Sequence, residues 1–305
     1  MKIIFWLILC LIWGTTWFFI KIGLDDLPPI TFAAARFALA ILILAFIIRI
    51  QKIALPRAKR DWKLLALTGV LQFSINYSLV FWSEQYISSG LAAVLQAMIS
   101  VFGLFLAWFY LPNERITWLK VFAVLLGICG VATIFIEQLQ VNSALAFAAC
   151  AAIVVGAFAA AQASILIKAR GANLHPASLL FGQMIIGIVP VIVYALLKEG
   201  NPINFNWSGR AIFCVLYLTV FGTIAAFWLY YWLLSKIEST KAMMISLVTP
   251  LIAVVVGAIF LGEKLPPQTV FGGALILASI GLIAFKKNVV NGKRKMENGK
   301  YKTVS

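Results

Sequence analysis

Asn113-Glu114-Arg115-Ile116 and Gly262-Glu263-Lys264-Leu265 are two short polar turns, each closing a long apolar run, and they lie 149 positions apart. Much the same interval recurs around them. Lys21 and Pro29 match Lys168 and Pro176 at a separation of 147, and Phe81, Trp82 and Ile87 match Tyr231, Trp232 and Ile237 at 150. Near-constant separations over so many segments mark an internal duplication. Its units are residues 1–141 and 142–286, followed by a basic tail at 287–305.

A helix needs about 20 mostly apolar residues to cross the hydrocarbon of a bilayer. Each unit offers five such stretches. They are Ile3–Lys21, Thr31–Ile50, Lys63–Trp82, Leu91–Leu111 and Trp118–Ile136, then Ala144–Ile167, Ala177–Leu197, Ala211–Leu234, Ala242–Leu261 and Thr269–Phe285. Because five is odd, the second unit must sit upside down relative to the first. The expected fold is an all-α integral membrane protein of ten transmembrane helices, arranged as two inverted five-helix repeats.

Composition points to the same solvent. The chain is 63% hydrophobic and only 11% charged, with a mean hydropathy of +1.01, far from the balance of a soluble domain. A bundle in lipid can expose Leu, Ile and Phe and confine charge to its loops. The net charge of +15 lies there, in Arg49, Lys52, Arg57, Lys59, Arg60 and Lys63, and in the tail's Lys286, Lys287, Lys293, Arg294, Lys295, Lys300 and Lys302. With the N-terminus inside, the inner loops and tail hold 20 Lys and Arg; the outer loops hold Lys21, Lys198, Arg210 and Lys264. That asymmetry predicts both termini in the cytoplasm; the expected seat of this multi-pass protein is the bacterial plasma (inner) membrane. The opening apolar run lacks a cleavage pattern of small residues, so it reads as a retained first helix.

Several function classes are disfavoured. No basic segment is interleaved with exposed aromatics, which argues against nucleic acid. Cys10, Cys129, Cys150 and Cys214 lie inside apolar spans far in sequence from His175, the sole histidine, so neither a metal site nor a disulfide framework is expected. A phosphate loop for ATP is missing, and so are the paired carboxylates or Ser/His pair of a membrane enzyme. No cofactor is expected. Inverted repeats favour a transporter, because exchanging the conformations of the halves converts an inward-open state into an outward-open one. A channel would ordinarily show a dedicated filter.

The stretch Leu11-Ile12-Trp13-Gly14-Thr15-Thr16-Trp17, followed by Lys21, Pro28-Pro29 and Ala35-Arg36-Phe37, resembles the EamA-type family of the drug/metabolite transporter superfamily. Similar too are the turns Leu111–Ile116 and Leu261–Leu265, and the likeness covers roughly residues 3–286. Two positions depart from the pattern. Val101 stands in the fourth span where Pro250 stands in the ninth, and Ala160-Ala161 stands where the first unit has Trp13-Gly14. The resemblance implies a secondary transporter, commonly an exporter of amino acids or other small metabolites. Drugs, nucleotide-sugars and lipids are alternative cargoes within the superfamily.

The expected substrate site is a midplane cavity involving Trp13, Arg36, Gln72, Asn76, Gln96, Gln162, Gln183, Trp228 and Ser246. A guanidinium at Arg36, about 9 Å inside its helix, needs a partner. It could bind a substrate carboxylate or phosphate, or it could cap carbonyls or pair with Asp25, Asp26 or Glu84. Gln72, Asn76 and Ser83 share one face of a regular helix, suited to substrate lining or to interhelical hydrogen bonds. Gln183 is the repeat counterpart of Arg36. Gly14 permits close helix approach beside Trp13. Ala148, Ala152, Gly156 and Ala160 read as packing, and Glu114 and Glu263 as helix caps or partners of Arg115 and Lys264. Glu84 could exchange a proton or pair with a cation at the interface. Proton coupling, a homodimer, the direction of transport and the cargo stay open at this level.

Overall fold

The computed structural model describes residues 2–87, 89–136, 143–171, 173–261 and 267–282. The turn containing Glu263 and Lys264 and the basic tail fall outside them. Every regular element described is a helix. They are α1 (Lys2–Gly23), α2 (Pro29–Ile50), α3 (Lys59–Ser83), α4 (Ser89–Gln96), α5 (Ile99–Tyr110), α6 (Trp118–Ile134), α7 (Ala144–Arg170), α8 (Pro176–Lys198), α9 (Gly209–Lys236), α10 (Ser239–Met243), α11 (Ile245–Leu261) and α12 (Pro267–Leu282). Six are long and apolar enough to cross a membrane: α1, α2, α3, α7, α8 and α9. The remaining apolar helices are shorter.

Local chemistry starts these helices where the sequence expects. Pro29 and Pro176 occupy first-turn positions, where a missing N–H costs nothing and the ring pre-sets φ. The side chains of Thr117, Ser143 and Ser208 accept from Lys120 N, Ala146 N and Ala211 N at the starts of α6, α7 and α9, satisfying otherwise orphaned donors. Large apolar side chains such as Leu42, Phe46, Trp108, Phe109, Leu197 and Phe213 point outward, as a lipid-facing surface requires.

The spans are less regular than periodicity predicts. α3 passes through a π-helical segment at Val70–Asn76, and α9 through another at Leu218–Ala225. The predicted span Leu91–Leu111 is divided between α4 and α5, and Ala242–Leu261 between α10 and α11. Pro250 cannot be the common cause. The α4–α5 break contains no proline, and the α10–α11 break at Met244 precedes Pro250 by six residues. Beyond the π segment of α3 the helix is regular again: Ser83 donates to Ala149 O on α7, seven residues from the Gly156 that lies against Asn76, so Asn76 and Ser83 keep one face.

Packing relies on small residues, as expected where lipid offers no hydrophobic drive between helices. On α7 the buried small residues include Ala149, Gly156, Ala157, Ala160 and Ala163, whereas Ala148 is exposed and Ala152 half-buried. Steps of four overshoot a 3.6-residue turn, which carries Ala148 off the packed face. α3 and α8 touch backbone to backbone. A Cβ on Gly69 would lie 2.3 Å from Gln183 O, and one on Gly187 would lie 2.5 Å from Gly69 O.

The two ends of the bundle are fastened differently. At the end holding the N-terminus, the α5–α6 turn is bound across the molecule. Glu114 accepts from Ser239 N at 3.0 and 2.8 Å and from Ser239 Oγ at 2.6 Å. Lys168 stands 3.7 Å from Glu114 and donates to Leu234 O and Ile237 O. At the opposite end Asp26 accepts from Arg210 Nε at 2.9 Å, Arg210 Nη2 at 3.0 Å and Ser208 Oγ at 2.7 Å. Glu199 caps α2 by accepting from Ile30 N and Thr31 N at 2.9 and 2.6 Å.

Hydrogen bonds from Arg210 and Ser208 hold the Asp26 carboxyl below its ordinary 3.8. A depressed folded value means that the clasp is complete above the ordinary value and is lost only as pH falls through the lower one. Amide exchange across residues 206–210, corrected for intrinsic rates, is therefore expected to stay constant from neutral pH down to 3.8 and to rise only below it.

Candidate functional site

A cavity of about 140 Å³ lies in the middle of the bundle. Its polar lining is Arg36 from α2, Gln72, Asn76 and Tyr77 from α3, Gln96 from α4, Ser164 from α7, and Ser246 and Thr249 from α11, with Thr16 from α1. Trp13, Trp17, Phe227 and Tyr230 supply aromatic walls. The irregular stretches surround it: Gln72 and Asn76 lie in one π segment, and Gln96 and Met243 adjoin the two helix breaks. Interrupted helices around a midplane site are a recurring construction in membrane carriers.

Arg36 is the one charged side chain among the described lining residues, and it is only 1% exposed. Nε donates to Thr223 Oγ1 at 2.7 Å and Nη2 to Gly222 O at 3.0 Å, both in the π segment of α9. Its guanidinium carbon lies 5.1 Å from the Tyr77 ring centroid and 5.4 Å from that of Phe37. Nη1 is buried and makes no hydrogen bond. The acids considered as partners from sequence are engaged elsewhere or lie apart: Asp25 and Asp26 pair with Arg210. Glu84 is buried with neither oxygen hydrogen-bonded, and Lys21 is the cation whose charge it feels.

Amides and hydroxyls complete the site. Gln96 Nε2 donates to Asn76 Oδ1 at 2.9 Å, leaving Gln96 Oε1 buried and unpartnered. Ser100 and Ser246 hydroxyls meet at 3.0 Å, and both donate to Met243 O. Trp13 donates to Gly222 O, and a Cβ on Gly14 would strike Ile252 at 2.5 Å, so α1 and α11 pack closely there. Leu106, Ala107, Leu111, Ala161 and Ile165 form an apolar cluster with Met243, which lines the cavity. The lining extends to Ile20 and Val80 as well.

Of the nine residues expected at the site, Trp13, Arg36, Gln72, Asn76, Gln96 and Ser246 line this cavity. Gln162, Gln183 and Trp228 do not. Gln162 is half-buried on α7. Gln183 is fully buried behind the cavity, accepting from Tyr231 OH at 2.6 Å. Trp228 stacks edge-on against His175 at 5.5 Å. Tyr77 and Phe227 line the cavity although the sequence did not single them out for it. Tyr77 adjoins Asn76 in the polar third span, so a signal was present. Phe227 was indistinguishable from ordinary apolar filling.

The profile of the EamA-like transporter family matches residues 1–136 and again 147–285. The chain belongs to that family. A transporter of Archaeoglobus fulgidus described as uncharacterized is 29% identical, the match covering 92% of this chain and 99% of that one. The uncharacterized transporter YoaV of Bacillus subtilis is 25% identical over 90% and 94% of the two chains. A probable terminal-alkyne amino-acid exporter of Streptantibioticus cattleyicolor is 25% identical over 89% of each. One solved crystal structure superimposes with a TM-score of 0.82 over 95% of this chain and 98% of that one, at 14% identity. At that identity the likeness shows the fold alone.

In this EamA-like transporter Gly222 sets how closely Arg36 approaches α9. A Cβ there would lie 3.3 Å from Arg36 Nη2 and 2.9 Å from Thr16 Cγ2. Gly222→Val is therefore expected to displace the guanidinium and to lower transport about tenfold, since misplacement of a positioned group by roughly 1 Å carries penalties of that size or larger. Gly209→Ala, where nothing lies within 4 Å, is the matched control in the same uptake measurement.

Proposed function

We propose that this chain is a secondary transporter that carries a small metabolite through the central cavity by alternating access. The observation carrying this reading is the cavity itself: a chamber with aromatic walls and a few convergent polar groups, built from both sequence units. The cargo is an amino acid or a related metabolite, moved out of the cell. The name of the Streptantibioticus relative lends support to that cargo.

The proposed architecture is ten crossings in two inverted units, with both termini in the cytoplasm of a bacterium and the inner membrane as its seat. The duplication interval supports it at three places. The π segments begin 148 and end 149 positions apart. The Ser100 and Ser246 hydroxyls, 146 apart, touch one another. The rings of Tyr77 and Phe227, 150 apart, lie 6.4 Å from each other. Contacts between repeat counterparts are what a pseudo-two-fold axis through the cavity produces. On this orientation the Glu114–Ser239–Lys168 cluster closes the cytoplasmic side. Glu84, a buried carboxyl without a hydrogen-bonding partner, is the group available for a coupled proton.

Counterflow in proteoliposomes preloaded with a panel of amino acids, with and without an imposed pH gradient, tests the proposal. Exchange of at least one of them is expected. Folded, reconstituted protein that exchanges none, whichever gradient is imposed, would sink the reading.

A further inference from the structure

Arg36 presents a charge that the protein leaves without a counter-ion. No carboxylate hydrogen-bonds or pairs with it among the described residues, and the described cavity lining contains no acid. An unpaired guanidinium away from water costs several kcal/mol, and a purely structural role here would be met by a neutral donor to Thr223 and Gly222. Two of its three nitrogens make those bonds and fix the plane. The third, Nη1, is buried, unpartnered and borne by a cavity-lining residue. Thr219 Oγ1 anchors the same residue by donating to Arg36 O at 3.0 Å. The charge is thus held in advance of any ligand, an arrangement that lowers the ordering cost of binding.

We infer that the cavity recognises its cargo through a single carboxylate bound at Arg36 Nη1, with an apolar or aromatic body against Trp13, Trp17 and Phe227, and that an ammonium group is not required. This rests on the transport reading and adds the charge class. One free nitrogen suits a carboxylate oxygen. Phosphate sites gather several charged donors, often with a helix N-terminus, whereas Arg36 is the one cationic side chain in the described lining. An ammonium would meet only neutral acceptors such as Gln96 Oε1 and the aromatic faces. Cationic cargo would in addition face the guanidinium itself.

Binding of three probes that share a phenylethyl frame and differ in the charged groups it carries tests the inference: 3-phenylpropionate (carboxylate), L-phenylalanine (carboxylate and ammonium) and 2-phenylethylamine (ammonium). Intrinsic tryptophan fluorescence reads binding, because Trp13 and Trp17 line the cavity. The two carboxylates are expected to bind within a fewfold of each other, and the amine roughly tenfold to a hundredfold more weakly, the range of one charge-assisted hydrogen bond. Arg36→Gln should erase the difference between carboxylate and amine, and Arg36→Lys should restore part of it. The wild-type comparison stands even where a variant does not fold. Amine binding equal to that of the carboxylates, a carboxylate preference that persists in folded Arg36→Gln, or no binding of any probe would each overturn the inference. Carboxylate binding without counterflow would overturn the transport reading instead and leave this one standing.

Discussion

Glu114→Ala is expected to loosen the N-terminal end of the bundle by about 3 kcal/mol, the scale for removing one member of a buried, hydrogen-bonded charge pair. Its carboxylate is 9% exposed and accepts three hydrogen bonds from Ser239, while Lys168 lies 3.7 Å away. Removal orphans the Ser239 amide and leaves Lys168 with backbone carbonyls only. Because Glu114 belongs to the first unit and Ser239 and Lys168 to the second, the bonds cross between units. On the alternating-access reading proposed above, opening that end would break them. At about 1.4 kcal/mol per tenfold, the population closed at this end should fall roughly a hundredfold relative to the open one. Hydrogen exchange at Ser239 and Thr240 reads it directly. Glu114→Gln, which keeps an acceptor and loses the charge, should lie between. Unchanged protection of these amides in Glu114→Ala would show that the cluster does not hold the end closed.

Much of this was legible in the chain. Apolar length located the helices, and polar residues inside apolar spans marked several residues of the cavity lining: Arg36, Gln72, Asn76, Gln96 and Ser246. Irregularity was not legible. A π segment leaves composition unchanged and alters only which carbonyl an N–H finds, so nothing in Val70–Asn76 announces it. Counterparts also need not share environments. Gln183 stands where the duplication places Arg36, but it is fully buried, accepts from Tyr231 OH and does not line the cavity. Glu114 reads from sequence as a helix cap or a partner of Arg115, and it does cap, accepting from Ser239 N at the start of α10; which helix it caps and its pairing with Lys168 required the fold.

The second large effect belongs to Gly69. Its missing side chain lets α3 approach α8 until a Cβ would lie 2.3 Å from Gln183 O and 2.9 Å from Gln183 C. Those atoms are backbone within a helix, so no rotamer change can relieve the overlap. Gly69→Ala must push the helices apart by roughly 1 Å, and overpacking of that kind costs about 1–3 kcal/mol. The displacement would not stay local. The π segment begins at Val70, the next residue, and Ser74 Oγ in that segment bonds Gly187 O on α8. Moving α8 therefore disturbs the turn that aims Gln72 and Asn76 into the cavity. Gly69→Ala is expected to lower the thermal midpoint by several degrees and to weaken 3-phenylpropionate binding as well. Gly209→Ala, with open space at its Cβ, should do neither, since replacing Gly where the backbone permits is neutral or stabilising by up to about 1 kcal/mol. Equal midpoints for Gly69→Ala and Gly209→Ala would mean that the close approach of α3 and α8 is not what sets the cavity wall.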